Sequence, residues 1–152
     1  MNEEIQHPVL GIDHGEARIG LAITDPVGIM AHPLETVQVK TTPPIERIAE
    51  LVIQRQVKQI VLGLPIRMDG TEGTAAEKIR AFGDEIKSQV GLPLHYIDES
   101  LTTVAAAAKL HQAGKNAKKQ KSIIDQAAAV EILSTWLEQN SPEQPPSDTF
   151  FS

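Results

Sequence analysis

The first third of the chain alternates in the way strands do. Val9–Asp13 and Ala17–Thr24 are apolar, β-prone runs, and the His14-Gly15-Glu16 between them reads as a hairpin turn. Asp25-Pro26-Val27-Gly28 is a second turn signal, and a third extended piece, Ile29 to Val37, follows it. The period then changes. Pro43-Pro44 suits the first turn of a helix, and Ile45, Ile48, Ala49 and Val52 recur at i, i+3, i+4, i+7. Val57–Gly63 carries Ile60-Val61-Leu62, a short buried strand closed by Leu64-Pro65.

After the loop Met68-Asp69-Gly70-Thr71-Glu72-Gly73, Thr74 with Glu77 three residues on has the form of a capping box. Ile79, Phe82, Ile86 and Val90 give that helix an inner face, and Gly91-Leu92-Pro93 stops it. Leu94–Ile97 is a fifth strand. Thr102 or Thr103 caps a helix running to Gly114, and Ser122 opens a last helix reaching about Gln139. Residues 141–152 are Pro-rich and polar, a flexible tail on a domain of residues 1–140. There is no internal repeat.

The order is therefore β-β-β-α-β-α-β-α-α. Strands joined by short turns pair antiparallel, whereas strands separated by helices need right-handed crossovers and pair parallel. The predicted fold is α/β, a mixed five-stranded sheet with three antiparallel strands followed by parallel ones, flanked by helices.

Composition narrows the class. Of 152 residues 41% are hydrophobic and ten more are glycine, the ordinary share for a packed protein. A chain of this length buries about 70% of its unfolded surface, so it needs no staple. The absence of cysteine excludes a disulfide framework, thiolate metal sites and thiol catalysis. No apolar run approaches the ~20 residues of a membrane span, and MNEEIQHP lacks the features of a signal peptide. The expected location is the cytoplasm, with no membrane partner.

The net charge of −6 is unevenly spread. No Asp or Glu falls between Ser100 and Ile124, while Lys109, Lys115, Lys118, Lys119 and Lys121 do. A basic strip thus sits on an acidic body, suited to phosphate contact. Aromatic residues are 3% of the chain, too few for a base-stacking platform.

The candidate chemistry lies in acids. By alternation Val9, Gly11 and Asp13 share one face of the first strand, and Leu10 and Ile12 the other. A carboxylate ending a central strand needs a partner or a metal, or else accepts hydrogen bonds in the turn before Gly15. Asp98-Glu99 directly follows the fifth strand, where open α/β sheets place ligand sites; the two point to opposite sides, and a solvated loop acid is the plainer alternative. Asp125 completes a Ser122-x-x-Asp125 capping box, yet it also heads the apolar row Ala128, Ala129, Ile132, Trp136 and so points inward. If the three converge, their hard oxygens select Mg2+ or Mn2+, and two such ions about 3.5–4 Å apart serve phosphodiester hydrolysis. No HxxxH or HExxH spacing offers a zinc site. Gly70 and Gly73 flank a helix start able to hold a phosphate, but Asp69 and Glu72 oppose an anion there, which favours a plain connection.

With GIDHGEARIGLAITDP, VLGLPIRMDGTEG, IDESLTT and KKQKSIIDQAAAVEILSTWLEQ in this order and spacing, the chain resembles the YqgF-type, Holliday-junction-resolvase-like nucleases over residues 8–139. The resemblance implies a ribonuclease H-like fold. It also implies metal-dependent cleavage of nucleic-acid phosphodiesters, in maturing the 5′ end of the small-subunit ribosomal RNA precursor. Carried across by motif, its catalytic and metal-holding acids fall on Asp13, Glu99 and Asp125; two Mg2+ or Mn2+ ions are the implied cofactors. Where the family reads DER, this chain reads Asp98-Glu99-Ser100, a hydroxyl in place of a cation; Arg18 or Arg67 are the candidates to replace it.

The expected nucleic-acid contacts are Arg18, Arg67, Lys115, Lys118, Lys119 and Lys121, the partner being structured RNA or branched DNA, with a homodimer allowed. Three other readings compete with an RNA-processing nuclease. They are a resolvase acting on branched DNA, a non-catalytic RNA-binding module, and a nucleotide-binding module, since GIDHGEARIG also resembles the first phosphate loop of the actin and sugar-kinase superfamily.

Overall fold

A computed structural model describes residues 5–99 and 117–140. Its elements run β1 (Val9–His14), β2 (Arg18–Thr24), β3 (Ala31–Gln38), α1 (Pro44–Arg55), β4 (Gln59–Leu64), α2 (Thr74–Val90), β5 (Leu94–Asp98) and α3 (Ala117–Asn140). The strands form one sheet in the order β3-β2-β1-β4-β5. β1 pairs antiparallel with β2 and parallel with β4; β2 with β3 is antiparallel and β4 with β5 parallel. This is the mixed sheet that turn lengths and crossovers predict, with β1 at its centre.

The pleat divides the core in two. Leu10 and Ile12 of β1, Leu21 of β2 and Leu62 of β4 turn to one side and pack with Ile48 of α1 and Ile79, Phe82 and Ile86 of α2. Val9, Ala22, Val61 and Ile97 turn to the other and meet Ala129, Ile132, Leu133 and Trp136 of α3. Both faces of the central strands are thereby closed to water, which accounts for their near-continuous apolar sequence.

On the α3 side the sheet is paved with glycine at three adjacent strands. A Cβ on Gly11 would stand 3.0 Å from Leu133 Cβ, one on Gly20 would fall 2.0 Å from the Asp125 carbonyl oxygen, and one on Gly63 would stand 2.6 Å from Ile132 Cδ1. The missing side chains let the helix lie directly on the strands. Each of these glycines interrupts an apolar strand pattern, the sequence signature of a close backbone approach.

Three local expectations change. β3 starts at Ala31 rather than Ile29, because the Asp25 carboxylate accepts hydrogen bonds from the Ile29 and Met30 N–H groups (2.9 and 3.2 Å) and prolongs the turn. Thr74 is not the cap of α2: Gly73 holds that position, and no side chain caps it. α3 begins at Ala117, so Ser122 lies inside a helix and the Ser122-x-x-Asp125 box does not open it. The same finding puts Lys118, Lys119 and Lys121 on the helix backbone rather than in a loop between helices; their side chains lie outside the described part. Also outside it are Lys115, the helix expected from Thr102 or Thr103 to Gly114, and the 141–152 tail. Among the described residues no helix is long and apolar enough to cross a membrane.

Candidate catalytic centre

Two of the paving glycines seat the acids. Asp13 lies directly opposite Gly20 on β2. The register of β1 on β4, with Ile12 beside Leu62, brings Gly63 to its other flank. α3 touches down at Gly20 with the backbone of Asp125, which delivers that residue next to Asp13. Glu99 leaves β5 on the same face as Ile97, and its buried Oε1 lies 3.1 Å from where a Cβ on Gly63 would be. A strand end, a post-strand turn and a helix therefore bring one carboxylate each to the same edge of the sheet.

The electrostatics express this crowding. The Asp13 carboxyl is pushed up to about 8, first by burial, then by the charge of Glu99, a hydrogen bond shared with Glu99, and the charge of Asp125. Near neutral pH Asp13 thus keeps its proton and donates it to Glu99. Asp125, 9% exposed, is held differently: its Oδ2 accepts from Arg18 Nε at 2.8 Å. Arg18, expected as a phosphate contact, here compensates an acid of the cluster. Among the described residues no three His, Asp or Glu side chains are arranged around a metal position as they stand.

The remaining sequence candidates separate cleanly. Asp98 ends β5 opposite Leu64, on the face away from α3. His14 follows Asp13 but alternates to the α2 side, where its ring meets Phe82 at a tilt, centroids 4.5 Å apart, and burial lowers its pKa. Arg67 is in the loop after β4, its guanidinium laid over Gly73 at the start of α2. Sequence reading isolated the acids and missed their seats; the mid-strand glycines Gly20 and Gly63 were the available signal. Nothing in the sequence links Arg18 to a residue 107 positions away.

A family profile described as RuvX, Holliday junction resolvase, matches residues 7–139. The chain is 44% identical over 131 residues to a Cutibacterium acnes protein provisionally named pre-16S rRNA nuclease, covering 86% of this chain and 81% of that protein. It is 45% identical over 131 residues to a Streptomyces avermitilis protein of the same name, covering 85% and 84%. A Mycobacterium leprae relative, again so named, is 44% identical over 132 residues, covering 86% and 72%. Among solved structures, Thermus thermophilus RuvC in complex with a Holliday junction substrate superposes with a TM-score of 0.55 at 16% identity, covering 88% of this chain and 96% of that one. That likeness is one of fold, and it agrees with the ribonuclease H-like architecture.

Proposed function

The chain belongs to the RuvX Holliday junction resolvase family, a family of nucleases, and on that premise we propose that it is a divalent-cation-dependent endonuclease acting in the cytoplasm on precursor 16S ribosomal RNA. The observation that carries this reading is the convergence of Asp13, Glu99 and Asp125, with the Asp13 pKa raised first by burial and then by its two acidic neighbours. The donor set suits Mg2+ or Mn2+: it is anionic, made only of oxygen, and crowded enough that a cation relieves its repulsion. On Asp125 a guanidinium already meets that need. The family match also takes in GIDHGEARIG, so this segment needs no separate reading as a nucleotide phosphate loop.

A pair of divalent cations supplies neutralisation of the phosphate and activation of water in this class of hydrolysis. The chain's own residues do the rest. With cations bound, Asp13 (its proton passed to solvent), Glu99 and Asp125 would be the carboxylates that hold them. Arg18, beside Asp125, would be the cationic side chain turned to the phosphate. Arg67, Lys115, Lys118, Lys119 and Lys121 position the strand through its backbone, a contribution that weakens with salt in proportion to the phosphates neutralised.

The test is a parallel cleavage assay on precursor 16S RNA and on a four-way DNA junction, each with Mg2+, Mn2+ or EDTA. RNA cut with either ion, but neither with EDTA nor by Asp13→Asn, is the expected result. Cleavage of neither substrate, or cleavage untouched by Asp13→Asn, overturns the proposal. Branched DNA is the second reading, favoured by the family's description, and the DNA arm decides it.

A further inference from the structure

The end of the sheet opposite the acids carries an apolar patch that nuclease chemistry leaves unused. Val27, Ile29 and Met30, in the turn between β2 and β3, are 74%, 78% and 55% exposed. The turn is braced from several sides. Gly28 N–H donates to the Asp25 carbonyl at 2.9 Å, and the Asp25 carboxylate takes the next two N–H groups. Gly28 has a φ of 76°, and the His7 ring fills the place where its Cβ would stand. That ring is tied through Nδ1 to the Thr24 hydroxyl at 2.8 Å, which accepts from Val9 N–H at 2.8 Å. A single exposed apolar residue is ordinary, but three on one braced turn form a preorganised docking face.

Beside the turn is a cleft of about 290 Å3 walled by Pro8, Ile23, Pro26, Pro33 and Leu34, with Arg55 in its lining. An apolar cavity of roughly 150 Å3 already accepts benzene, so a phenyl ring fits here. Asp25 also lines the cleft, but its carboxylate is turned on the Ile29 and Met30 N–H groups. Lys58 adjoins the cleft through its N–H, which donates to the Pro8 carbonyl at 2.9 Å. Arg55 and Lys58 are exposed, and neither forms an ion pair among the described residues. Glu35, whose charge reaches Arg55, is already held by Arg47 through two bonds of 2.8 Å. The face therefore fits a segment with aromatic side chains and carboxylates close to them.

Such a segment exists within this chain. Residues 141–152 carry Phe150 and Phe151, two of the three phenylalanines, together with Glu143 and Asp148 and no Lys or Arg. They follow α3, which crosses the sheet from Asp125 over Gly20 to Trp136, packed with Val9 and against the His95 ring. The helix thus ends at the same end of the sheet as the turn. From β5 to β3 is four strand spacings of about 4.8 Å, roughly 19 Å, whereas the ~10 residues from Asn140 to Phe150 reach up to about 33–36 Å. The family profile stops at residue 139 and does not cover this segment. We propose that residues 141–152 dock in cis on the face formed by Val27, Ile29, Met30 and the cleft, a phenylalanine entering the cleft and the carboxylates meeting Arg55 and Lys58. This docking goes beyond the nuclease reading and does not depend on it.

The test uses the full chain, which has no cysteine of its own. A nitroxide is attached through Thr149→Cys, and backbone amide signals are read by NMR before and after its reduction with ascorbate. The signals of Val27, Gly28, Ile29 and Met30 should be lost while the label is paramagnetic, and those of Asp13 and Gly20 should persist. Phe150→Ser with Phe151→Ser should restore the lost signals, and Ile29→Ser should restore those of Val27 and Gly28. Arg55→Glu, or added salt, should diminish the loss. These substitutions touch only exposed side chains or the segment itself, so the fold is kept, as unchanged signals at Asp13 and Gly20 verify. Isotope-labelled chain without nitroxide, mixed with nitroxide-bearing chain without isotope, separates the occupants. Loss in that mixture would seat the segment on a second copy and overturn docking in cis. Loss confined to other amides, or loss that survives removal of both phenylalanines, overturns the proposal. No loss anywhere overturns it too and leaves the face to a separate protein. Cleavage is not read, so each of these outcomes leaves the nuclease reading untouched.

Discussion

Arg18 and Asp125 hold each other through Nε and Oδ2 at 2.8 Å, immediately beside the hydrogen-bonded pair of Asp13 and Glu99. The contact gives the acid cluster one cation in the absence of metal. Arg18→Gln leaves Asp125 buried without that charge, and removing one partner of a buried pair costs more than the pair contributes. With EDTA present, urea unfolding should show a loss of about 1–3 kcal/mol, discounted from the fully buried case because Arg18 is partly exposed. Saturating Mn2+ should shrink the deficit, since the cation then supplies the compensation. An equal deficit in both conditions would mean that the guanidinium serves only the fold.

Asp13→Asn separates chemistry from binding. The substitution removes the carboxylate at the centre of the cluster without changing its shape, so cleavage should fall to background while affinity for precursor RNA in EDTA stays within about twofold, that affinity being carried by phosphate contacts elsewhere. The metal-free variant should also melt higher than the parent at pH 8, because one of three crowded acids no longer ionises. A variant that melts lower there contradicts the crowding deduced from the geometry.

The pH dependence has a defined sign. Asp13 has a folded pKa of about 8, above the ordinary value of 3.8 that it has in the unfolded chain. Between those values the folded state binds more protons, so in EDTA the contribution of Asp13 is fully present below pH 4 and is lost as pH rises through 8. Divalent cation reverses the trend by taking the proton's place, so its uptake at pH 7 should release protons. Calorimetry in two buffers of different ionisation enthalpy measures that release, which should vanish above about pH 9. Proton release of zero at pH 7 would show that Asp13 is already ionised.

Much of this was legible from residue order. Short turns and helical crossovers set the strand directions, and alternation put Asp13 opposite Leu10 and Ile12, as observed. The inward row on α3 placed Asp125 correctly. What sequence reading got wrong was local competition for the backbone. Asp25 captured two N–H groups that β3 was expected to use, and Gly73 displaced Thr74 as the cap of α2 beneath the Arg67 guanidinium. The pairing of Arg18 with Asp125 was invisible because it depends on how α3 lies across the sheet, and no periodicity encodes that.

The lie of α3 is itself testable through the two seating glycines, which differ in what stands in the way. A Cβ on Gly20 would meet the Asp125 carbonyl oxygen at 2.0 Å, and that backbone moves only if the helix lifts. Gly20→Ala should therefore cost about 3 kcal/mol or more, at the upper end for overpacking, and abolish cation binding by carrying Asp125 away from Asp13. A Cβ on Gly63 would meet the tip of Ile132 at 2.6 Å and Glu99 Oε1 at 3.1 Å, both ends of side chains that can turn. Gly63→Ala should cost only about 1 kcal/mol, partly offset by the stiffer unfolded chain, yet it should displace Glu99 and weaken Mn2+ binding out of proportion to the stability lost. Urea unfolding and Mn2+ titration of the two variants give the comparison. If Gly63→Ala binds Mn2+ as the parent does, Glu99 is not seated where its carboxylate could serve a cation, and the cluster reduces to Asp13 and Asp125.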